Sequence, residues 1–168
     1  MMTESLTARS KDESTLNIEE IYTKYARMIF QISFSYMKNT ADAEDIAADV
    51  FVKLISSKKK FQSEEHEKAW LLRAAINLCK NNLKHWRRKT VDINDINESE
   101  NSTDFYINDT MKAVMDLPER YKAVIYLYYY EGYSTAEIAE ILKKPHSTIR
   151  VHLHEARKIL KEVLEDEE

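Results

Sequence analysis

Glycine is nearly absent from this chain. One glycine and two prolines occur in 168 residues, while alanine, leucine, isoleucine, lysine and glutamate are plentiful. Tight β-hairpins need residues that tolerate positive φ, above all glycine, so the chain has little turn chemistry for a sheet of hairpins. Its common residues are strong helix formers instead. The sequence therefore predicts an all-α fold.

Apolar residues at helical spacing divide the chain into two helical parts. Three helices are predicted over residues 18–37, about 40–57 and roughly 68–88, and together they are long enough to bury a small core. Further helices are predicted on either side of Pro118, with Pro118 at the first helical position of the second one and Gly132 at its end.

The segment between these two parts is polar and has no sustained period, so it reads as a flexible linker. The predicted organisation is two small helical domains joined by this acidic linker. Its four parts are a flexible N-terminal tail (1–17), a first helical domain (18–89), the linker (90–108) and a second helical domain (109–168).

The net charge of −4 hides a strongly uneven distribution. Six basic residues and no acid lie between positions 73 and 89, and six basic residues with one acid lie between positions 143 and 161. The stretch 90–109 between them carries acids and no base. Two basic surfaces separated by an acidic spacer are compatible with nucleic-acid binding, which an evenly acidic protein would not be.

Several classes of protein are disfavoured by composition. The single cysteine, Cys79, cannot form an internal disulfide and is expected to be a packing residue. No apolar run approaches the roughly 20 residues that cross a bilayer, and the start of the chain lacks the apolar core of a signal peptide. We therefore expect a cytoplasmic protein that does not insert into a membrane.

The segments "STAEIAEIL" and "STIRVHLHEARKIL", joined by "KKPH", predict a helix-turn-helix. Ser134 and Glu137 have the spacing of a capping box at the start of its first helix. Helical periodicity assigns the buried face of the second helix to Ile149, Leu153, Ala156 and Leu160. The opposite face and its edges carry Ser147, Arg150, Val151, His154, Glu155, Arg157 and Lys158. This face could enter a major groove, although a merely solvated helical hairpin would show the same pattern.

The histidines of this segment do not form a metal site. His152 and His154 are two residues apart, so they point about 200° away from each other on a helix. We expect His152 to pack at the buried edge and His154 to face outward. A metal-dependent enzyme using His66, His146, His152 and His154 is a remote alternative, because no HExxH pair or comparable spacing is present.

Two surfaces of the first domain have an ordinary and a functional interpretation. The basic third helix carries Trp70 and Trp86, with Phe61 just before it, and aromatic rings stack on unpaired bases as readily as they fill cores. Trp70 lies on the apolar side and is expected to be core. On the second helix Asp42, Asp45 and Asp49 form an acidic stripe, which is either solvated or a docking strip for a basic partner.

The order and spacing of these blocks resemble the sigma-70 family, in its small extracytoplasmic-function subgroup. The resemblance rests on "ADAEDIAADVFVKL", "EKAWLLRAAINLCKNNLKHWRRK" and, after the linker, "LPERYKAVIYLYYYEGYSTAEIAEILKKPHSTIRVHLHEARKIL". It covers nearly all of residues 18–164. It implies a region 2 domain and a region 4 helix-turn-helix domain, a transcription initiation factor without enzymatic activity, and no cofactor or metal.

The resemblance also implies partners. These are core RNA polymerase, through the clamp helices of its largest subunit and the flap of its second-largest subunit, then promoter DNA, and an anti-sigma factor that sequesters the protein. The polymerase-binding positions correspond to Asp42, Asp45, Asp49 and Lys53. Those near the −10 strand correspond to Phe61, Arg73, Asn77, Lys80, Asn81, Lys84, Arg87 and Arg88.

The same resemblance implies how the second domain reads the −35 element. The base-reading positions correspond to Arg150, Val151, His154 and Glu155. Phosphate contacts are implied for Thr148, Arg157, Lys158 and the start of the helix at Ser147.

The sequence departs from the family pattern at three places. Lys143 stands in the turn where glycine is usual, so either slight backbone strain or a turn of a different type is expected there. His152 and Glu155 replace basic residues, and the "FQSEEHE" loop is unusually acidic, so neither promoter preference can be carried over. The alternative function is a helix-turn-helix regulator that binds duplex DNA without polymerase.

Overall fold

The computed structural model describes residues 17–89 and 108–166, and every regular element in these ranges is helical, as predicted. A π-helix, Tyr126–Tyr130, continues the fifth α-helix directly. We call α1–α3 the N-terminal unit and α4–α7, with the π-helix, the C-terminal unit. The α-helices are α1 (Ile18–Met37), α2 (Thr40–Ser57), α3 (Glu64–Lys89), α4 (Asp109–Met115), α5 (Glu119–Ile125), α6 (Thr135–Leu142) and α7 (His146–Asp166).

Asparagine begins three of these helices. The side-chain oxygens of Asn17, Asn39 and Asn108 each accept a hydrogen bond from the amide three residues later, at 3.2, 2.8 and 2.8 Å. These bonds satisfy amides that have no partner inside the helix. Asn17 and Asn108 are the last residues of the predicted tail and linker, whose other residues lie outside the described part of the chain.

Lysine ends three helices in the left-handed conformation that glycine usually supplies. Lys38, Lys58 and Lys143 have φ values of 64°, 50° and 54°. Gly132, with φ of 74°, follows the π-helix and ends that segment as predicted. The strain expected at Lys143 is therefore present in the backbone, because a side chain in this region meets its own carbonyl oxygen.

Helix α1 lies at the centre of the packing. Ile29 and Ile32 are fully buried, and the five consecutive residues 32–36 are all buried, so the end of α1 is covered on every side. The hydrophobic cluster around α1 includes Leu71 of α3 and continues into the C-terminal unit through Val124. The sequence predicted a separate small core for the first three helices, whereas the structure has one core shared by both units.

Helix α3 begins four residues earlier than predicted, at Glu64 instead of Lys68. Ser63 caps its first turn, because the Ser63 hydroxyl accepts from the His66 amide at 3.2 Å. Acidic side chains near a helix N-terminus are favoured by the helix dipole. The acids of the predicted "FQSEEHE" loop thus belong mainly to the first turn of α3, where Glu64, Glu65 and Glu67 lie.

The π-helix was not predicted. Its wide turn is closed by the Glu131 amide, which donates to the Tyr126 carbonyl at 3.3 Å, five residues back. Pro118 is the N-cap of helix α5, whereas the sequence predicted it at the first helical position. The helix therefore begins one residue later than predicted. Both differences are local, and neither changes the order of the helices.

Replacing Lys143 with glycine is expected to stabilise the protein. Glycine adopts positive φ without the steric penalty that a side chain meets, and the gain should be about 1 kcal/mol in the free energy of unfolding. Urea unfolding followed by circular dichroism measures it. The matched control is Lys161→Gly, at an exposed position inside α7, which should lose about 1 kcal/mol. A loss at both positions would show that Lys143 is not strained.

Candidate nucleic-acid interface

Helices α6 and α7 form the predicted helix-turn-helix. The predicted capping box is present, since the Ser134 hydroxyl accepts from the Glu137 amide at 3.2 Å and the Glu137 carboxylate accepts from the Ser134 amide at 3.0 Å. Ile138 of α6 and Ile149 of α7 are fully buried. Thr135 and His146, at the starts of the two helices, are joined by a 2.7 Å hydrogen bond. The pair is therefore fixed both at its core and at its edge.

The outer face of α7 is open to solvent. Val151 is 57% exposed, which is unusual for an apolar side chain in the middle of a helix. Leu153 and Ala156 are buried on the opposite face, as predicted, and Leu160 is partly buried. A methyl-bearing side chain amid polar ones suits a base-reading surface, because thymine offers a methyl group in the major groove. The exposed side chains are those of Ser147, Arg150, Val151, His154, Arg157 and Lys158, with Thr148 and Glu155 half-buried.

His152 and His154 of α7 separate as predicted. His152 packs edge-on against Tyr121 with ring centroids 5.5 Å apart, and burial beside Lys144 lowers its pKa. His154 is exposed. In the described ranges no group of three histidine, cysteine, aspartate or glutamate side chains converges to hold a metal ion. Cys79 is fully buried, and burial raises the pKa of its thiol to about 12.

Arg157 is held by tyrosines of the π-helix. Its Nε donates to the Tyr129 hydroxyl at 2.7 Å, and its guanidinium lies 5.0 Å from the centre of the Tyr128 ring. The two terminal guanidinium nitrogens carry four further N–H donors, which suit an acceptor such as phosphate. The sequence showed the run of tyrosines but not the wide turn that directs two consecutive rings toward α7.

The basic face of α3 is only partly accessible. Asn77, Asn81 and Lys84 are exposed, while Lys80 is half-buried and burial lowers its pKa. Arg73 is half-buried, and its guanidinium donates to the carbonyls of Ile141 at 2.7 Å and Glu140 at 3.2 Å in α6. Arg87 and Arg88 lie in the last turn of α3, and their side chains are outside the described part of the chain.

The aromatic residues around the start of α3 divide between packing and exposure. Phe61 and Trp70 are both partly buried against the core, with ring centroids 5.8 Å apart. Trp86 is 51% exposed near the end of α3. The expectation that Trp70 packs in the core is confirmed, and Phe61 joins it there.

The acidic stripe of α2 is fully on the surface. Asp45, Asp49 and Lys53 are exposed at four-residue intervals, so they share one face of α2. Asp42 is exposed as well, but its carboxylate accepts from the Asn39 side-chain amide at 2.6 Å and so belongs to the N-terminal cap. Val52, 59% exposed, lies one turn from Asp49. The sequence analysis missed this apolar neighbour. It could have been found as a valine that does not share the helical spacing of the buried residues.

No helix in the described ranges has the length and apolar character of a membrane span.

Two family models match the chain, Sigma-70 region 2 over residues 21–90 and Sigma-70 region 4 over residues 107–160. They correspond closely to the N-terminal and C-terminal units. The chain therefore has the two modules in the order that the sequence predicted.

Curated proteins of known name are similar over most of the chain. RNA polymerase sigma factor SigV of Bacillus subtilis is 30% identical over 83% of this chain and 86% of its own. ECF RNA polymerase sigma factor SigW of the same organism is 26% identical over 88% of each chain. Among solved structures, the sigma factor RpoE of Bartonella quintana, in complex with the anti-sigma factor NepR, matches with a TM-score of 0.72 and 21% identity over 88% of this chain and 96% of its own.

The RpoE likeness supports the fold, and the two family models with SigV support the family. The chain belongs to the sigma-70 family of RNA polymerase sigma factors, in its extracytoplasmic-function group.

Proposed function

We propose that this protein binds core RNA polymerase and directs it to promoters by contacting the −10 and −35 elements. The observation that carries the proposal is the presence in one chain of both units, one with an exposed acidic stripe and one with an exposed reading face on α7. A stand-alone regulator would use the first unit for dimerisation or ligand binding, and such a use does not require a match to Sigma-70 region 2. That unit is what favours the polymerase factor over the helix-turn-helix regulator.

The C-terminal unit, residues 109–168, is proposed to read the −35 element as duplex DNA. Arg150 can donate two hydrogen bonds to guanine, Glu155 can accept from cytosine, and Val151 can contact a thymine methyl group. Phosphate contacts are proposed for Ser147, Thr148, Arg157 and Lys158, which fix the register of the helix on DNA. His154 completes the reading face.

The N-terminal unit, residues 18–89, is proposed to hold the opened −10 strand and the polymerase. Exposed amides and cations on α3 suit an unpaired strand, which offers both base edges and phosphates. The strand contacts are proposed for Phe61, Arg73, Asn77, Lys80, Asn81, Lys84, Arg87 and Arg88. The polymerase contacts are proposed for Asp42, Asp45, Asp49 and Lys53, with Val52 as an apolar contact among them.

The partners follow from these surfaces and from the family. The acidic stripe is proposed to contact the clamp helices of the largest polymerase subunit, and the C-terminal unit the flap of the second-largest. The RpoE structure contains the anti-sigma factor NepR, and we propose that an anti-sigma factor also sequesters this protein. It would act in the cytoplasm without catalysing a reaction itself.

The direct test is in vitro transcription with purified core polymerase across a promoter library. Specific starts that require this protein are expected. Tight binding to specific duplex DNA without polymerase, together with no starts in its presence, would support the regulator instead.

Arg150→Ala and Lys158→Ala should weaken promoter binding in different ways. Arg150→Ala loses a bidentate base contact, which should cost about 1–3 kcal/mol of binding free energy and relax selectivity at one base pair of the −35 element. Lys158→Ala loses a phosphate contact, which should weaken binding to all promoters alike and reduce the salt dependence by about one counterion. Holoenzyme affinity across single-base variants at several salt concentrations separates the two. Identical profiles for both variants would contradict the assigned roles.

Asp49→Lys should weaken binding to core polymerase about tenfold or more, because it reverses a charge in the acidic stripe. Fluorescence titration of labelled protein with core polymerase measures the affinity. Glu44→Lys is the matched control, since Glu44 is also exposed on α2 but lies about 140° around the helix from Asp49. Equal losses in both variants would mean that net charge, and not the stripe, governs binding.

A further inference from the structure

Two consecutive tyrosines of the π-helix contact one arginine of α7. The guanidinium of Arg157 lies 5.0 Å from the centre of the Tyr128 ring and 5.6 Å from the centre of the Tyr129 ring. Consecutive residues of an α-helix point about 100° apart, so two neighbours do not normally face the same side chain. The wider turn of the π-helix brings both rings to Arg157. Such turns are rare and occur frequently at functional sites, which makes this arginine a candidate for a functional contact.

The other two tyrosines of the π-helix have a packing role. Tyr126 is fully buried, and the Tyr130 ring stacks on it with the centroids 5.1 Å apart. The Tyr128 and Tyr129 rings instead meet each other edge to face at 5.0 Å. Core packing does not explain the position of Tyr129, because 55% of this residue is exposed.

Arg157 is held in one orientation on the exposed side of α7. Its Nε donates to the Tyr129 hydroxyl at 2.7 Å, and the Tyr128 ring supports the guanidinium. The hydrogen bond to Tyr129 and the contact with Tyr128 raise the pKa of Arg157, so both tyrosines stabilise its charged form. The salt bridges of the described ranges join other residues, so Arg157 is not paired with a carboxylate there.

Together these side chains form a cluster of hydrogen-bond donors. The Tyr129 oxygen accepts the Nε–H of Arg157 and can still donate its own O–H, while the guanidinium carries four further N–H groups. A positively charged cluster of donors suits an oxyanion that offers several acceptor oxygens. A phosphate of the DNA backbone is such a group, whereas base edges in the major groove present both donors and acceptors.

The cluster lies where a DNA backbone would pass. Arg150 and Arg157 are seven residues apart in α7, so they lie about 20° apart around the helix and about 10 Å apart along it. The major groove is about 12 Å wide. A helix that reads a base with Arg150 therefore brings Arg157, two turns further on, to the rim of the groove, where the phosphates lie.

We propose that Tyr129 and Arg157 bind one phosphate of the duplex together, with Tyr129 as a direct DNA contact and Tyr128 as a positioning residue for the guanidinium. We call these three side chains the phosphate site. Neither tyrosine is among the site residues that the sequence predicted. The inference rests on the proposed function for the identity of the duplex, while the arrangement of donors rests on contacts within the C-terminal unit alone.

Holding the arginine in advance strengthens its contact with DNA. A solvated arginine loses most of its rotamer freedom when it binds, whereas Arg157 is already ordered by two aromatic side chains. The Tyr129 hydroxyl also adds a donor without adding a charge. The phosphate site therefore contributes equally to all promoter sequences, since phosphates carry no direct sequence information.

Tyr129→Phe tests the direct contact, because it keeps the ring and removes only the hydroxyl. Holoenzyme affinity is measured on promoter duplexes in which single phosphates near the −35 element are replaced in turn by neutral methylphosphonates. The variant should bind the unmodified duplex about tenfold more weakly. At one backbone position the losses from the variant and from the methylphosphonate should not add, because both remove the same contact.

Salt dependence separates the two members of the phosphate site. Tyr129→Phe removes no charge, so its salt dependence should equal that of the native protein. Arg157→Ala should reduce the salt dependence by about one counterion. Tyr130→Phe is the matched control, since Tyr130 lies in the same π-helix but stacks on Tyr126, and it should bind as the native protein does. Thermal unfolding checks that each variant is folded.

Tyr128→Leu tests the positioning role. Loss of the ring should weaken promoter binding about threefold, and it should have no effect in an Arg157→Ala background, because Tyr128 acts only through Arg157. Tyr128→Phe keeps the ring and should retain native affinity. An equal loss from Tyr128→Leu in both backgrounds would contradict the positioning role.

Two results would overturn the direct contact: native affinity in Tyr129→Phe, or a loss in this variant that adds fully to the loss at every methylphosphonate position. Either result alongside specific transcription starts would remove the phosphate site and leave the proposed function intact. If the protein directs no specific starts but binds duplex DNA alone, the same duplexes are used without polymerase. One phosphate position that depends on Tyr129 would then support the phosphate site although the proposed function had failed.

Discussion

Burial of the last turns of helix α1 on all sides is the constraint on which the remaining structure depends. Its last turns contact both units, and small polar side chains make this possible, because Ser33 and Ser35 return their hydroxyls to carbonyls of α1 at 2.7 and 2.6 Å. A larger polar residue at either position would need a partner from a neighbouring helix. The end of α1 therefore packs against both units and belongs to their shared core.

Helix periodicity predicted the elements well because most of them bury one face. The spans of α1 and α2 agree with the prediction, and the assignment of Ile149, Leu153 and Ala156 to the buried side of α7 is confirmed. The start of α3 was misplaced because glutamates resemble loop residues when the helix dipole is not considered. Helical periodicity thus predicts which segments are helices and which faces are buried better than it predicts where a helix begins or ends.

The polar contacts between the two units could not be predicted in the same way. Arg73 and Lys122 are charged, and charged residues are normally assigned to the surface. Their partners are backbone carbonyls, which are the same for every sequence and leave no trace in composition. Exposed site residues such as Arg150 and Asp49 were predicted correctly as exposed, because the helical spacing of apolar residues shows which side of a helix faces solvent. Contacts between units depend on tertiary packing, which one sequence does not encode in any local period.

The wide turn at Tyr126–Tyr130 makes the chain sensitive to its length at one place. Removing one tyrosine from this run would change composition and hydropathy very little. It would nevertheless convert the turn to α-helical spacing and rotate helix α5 by about 100° relative to the segment after the turn. Tyr129 contacts Arg157, Glu131 contacts Lys68, and both Tyr129 and Glu131 lie on the rotated segment. The rotation would therefore break one of these two contacts. A single-codon deletion here would therefore remove one of these two contacts while leaving each module recognisable in an alignment.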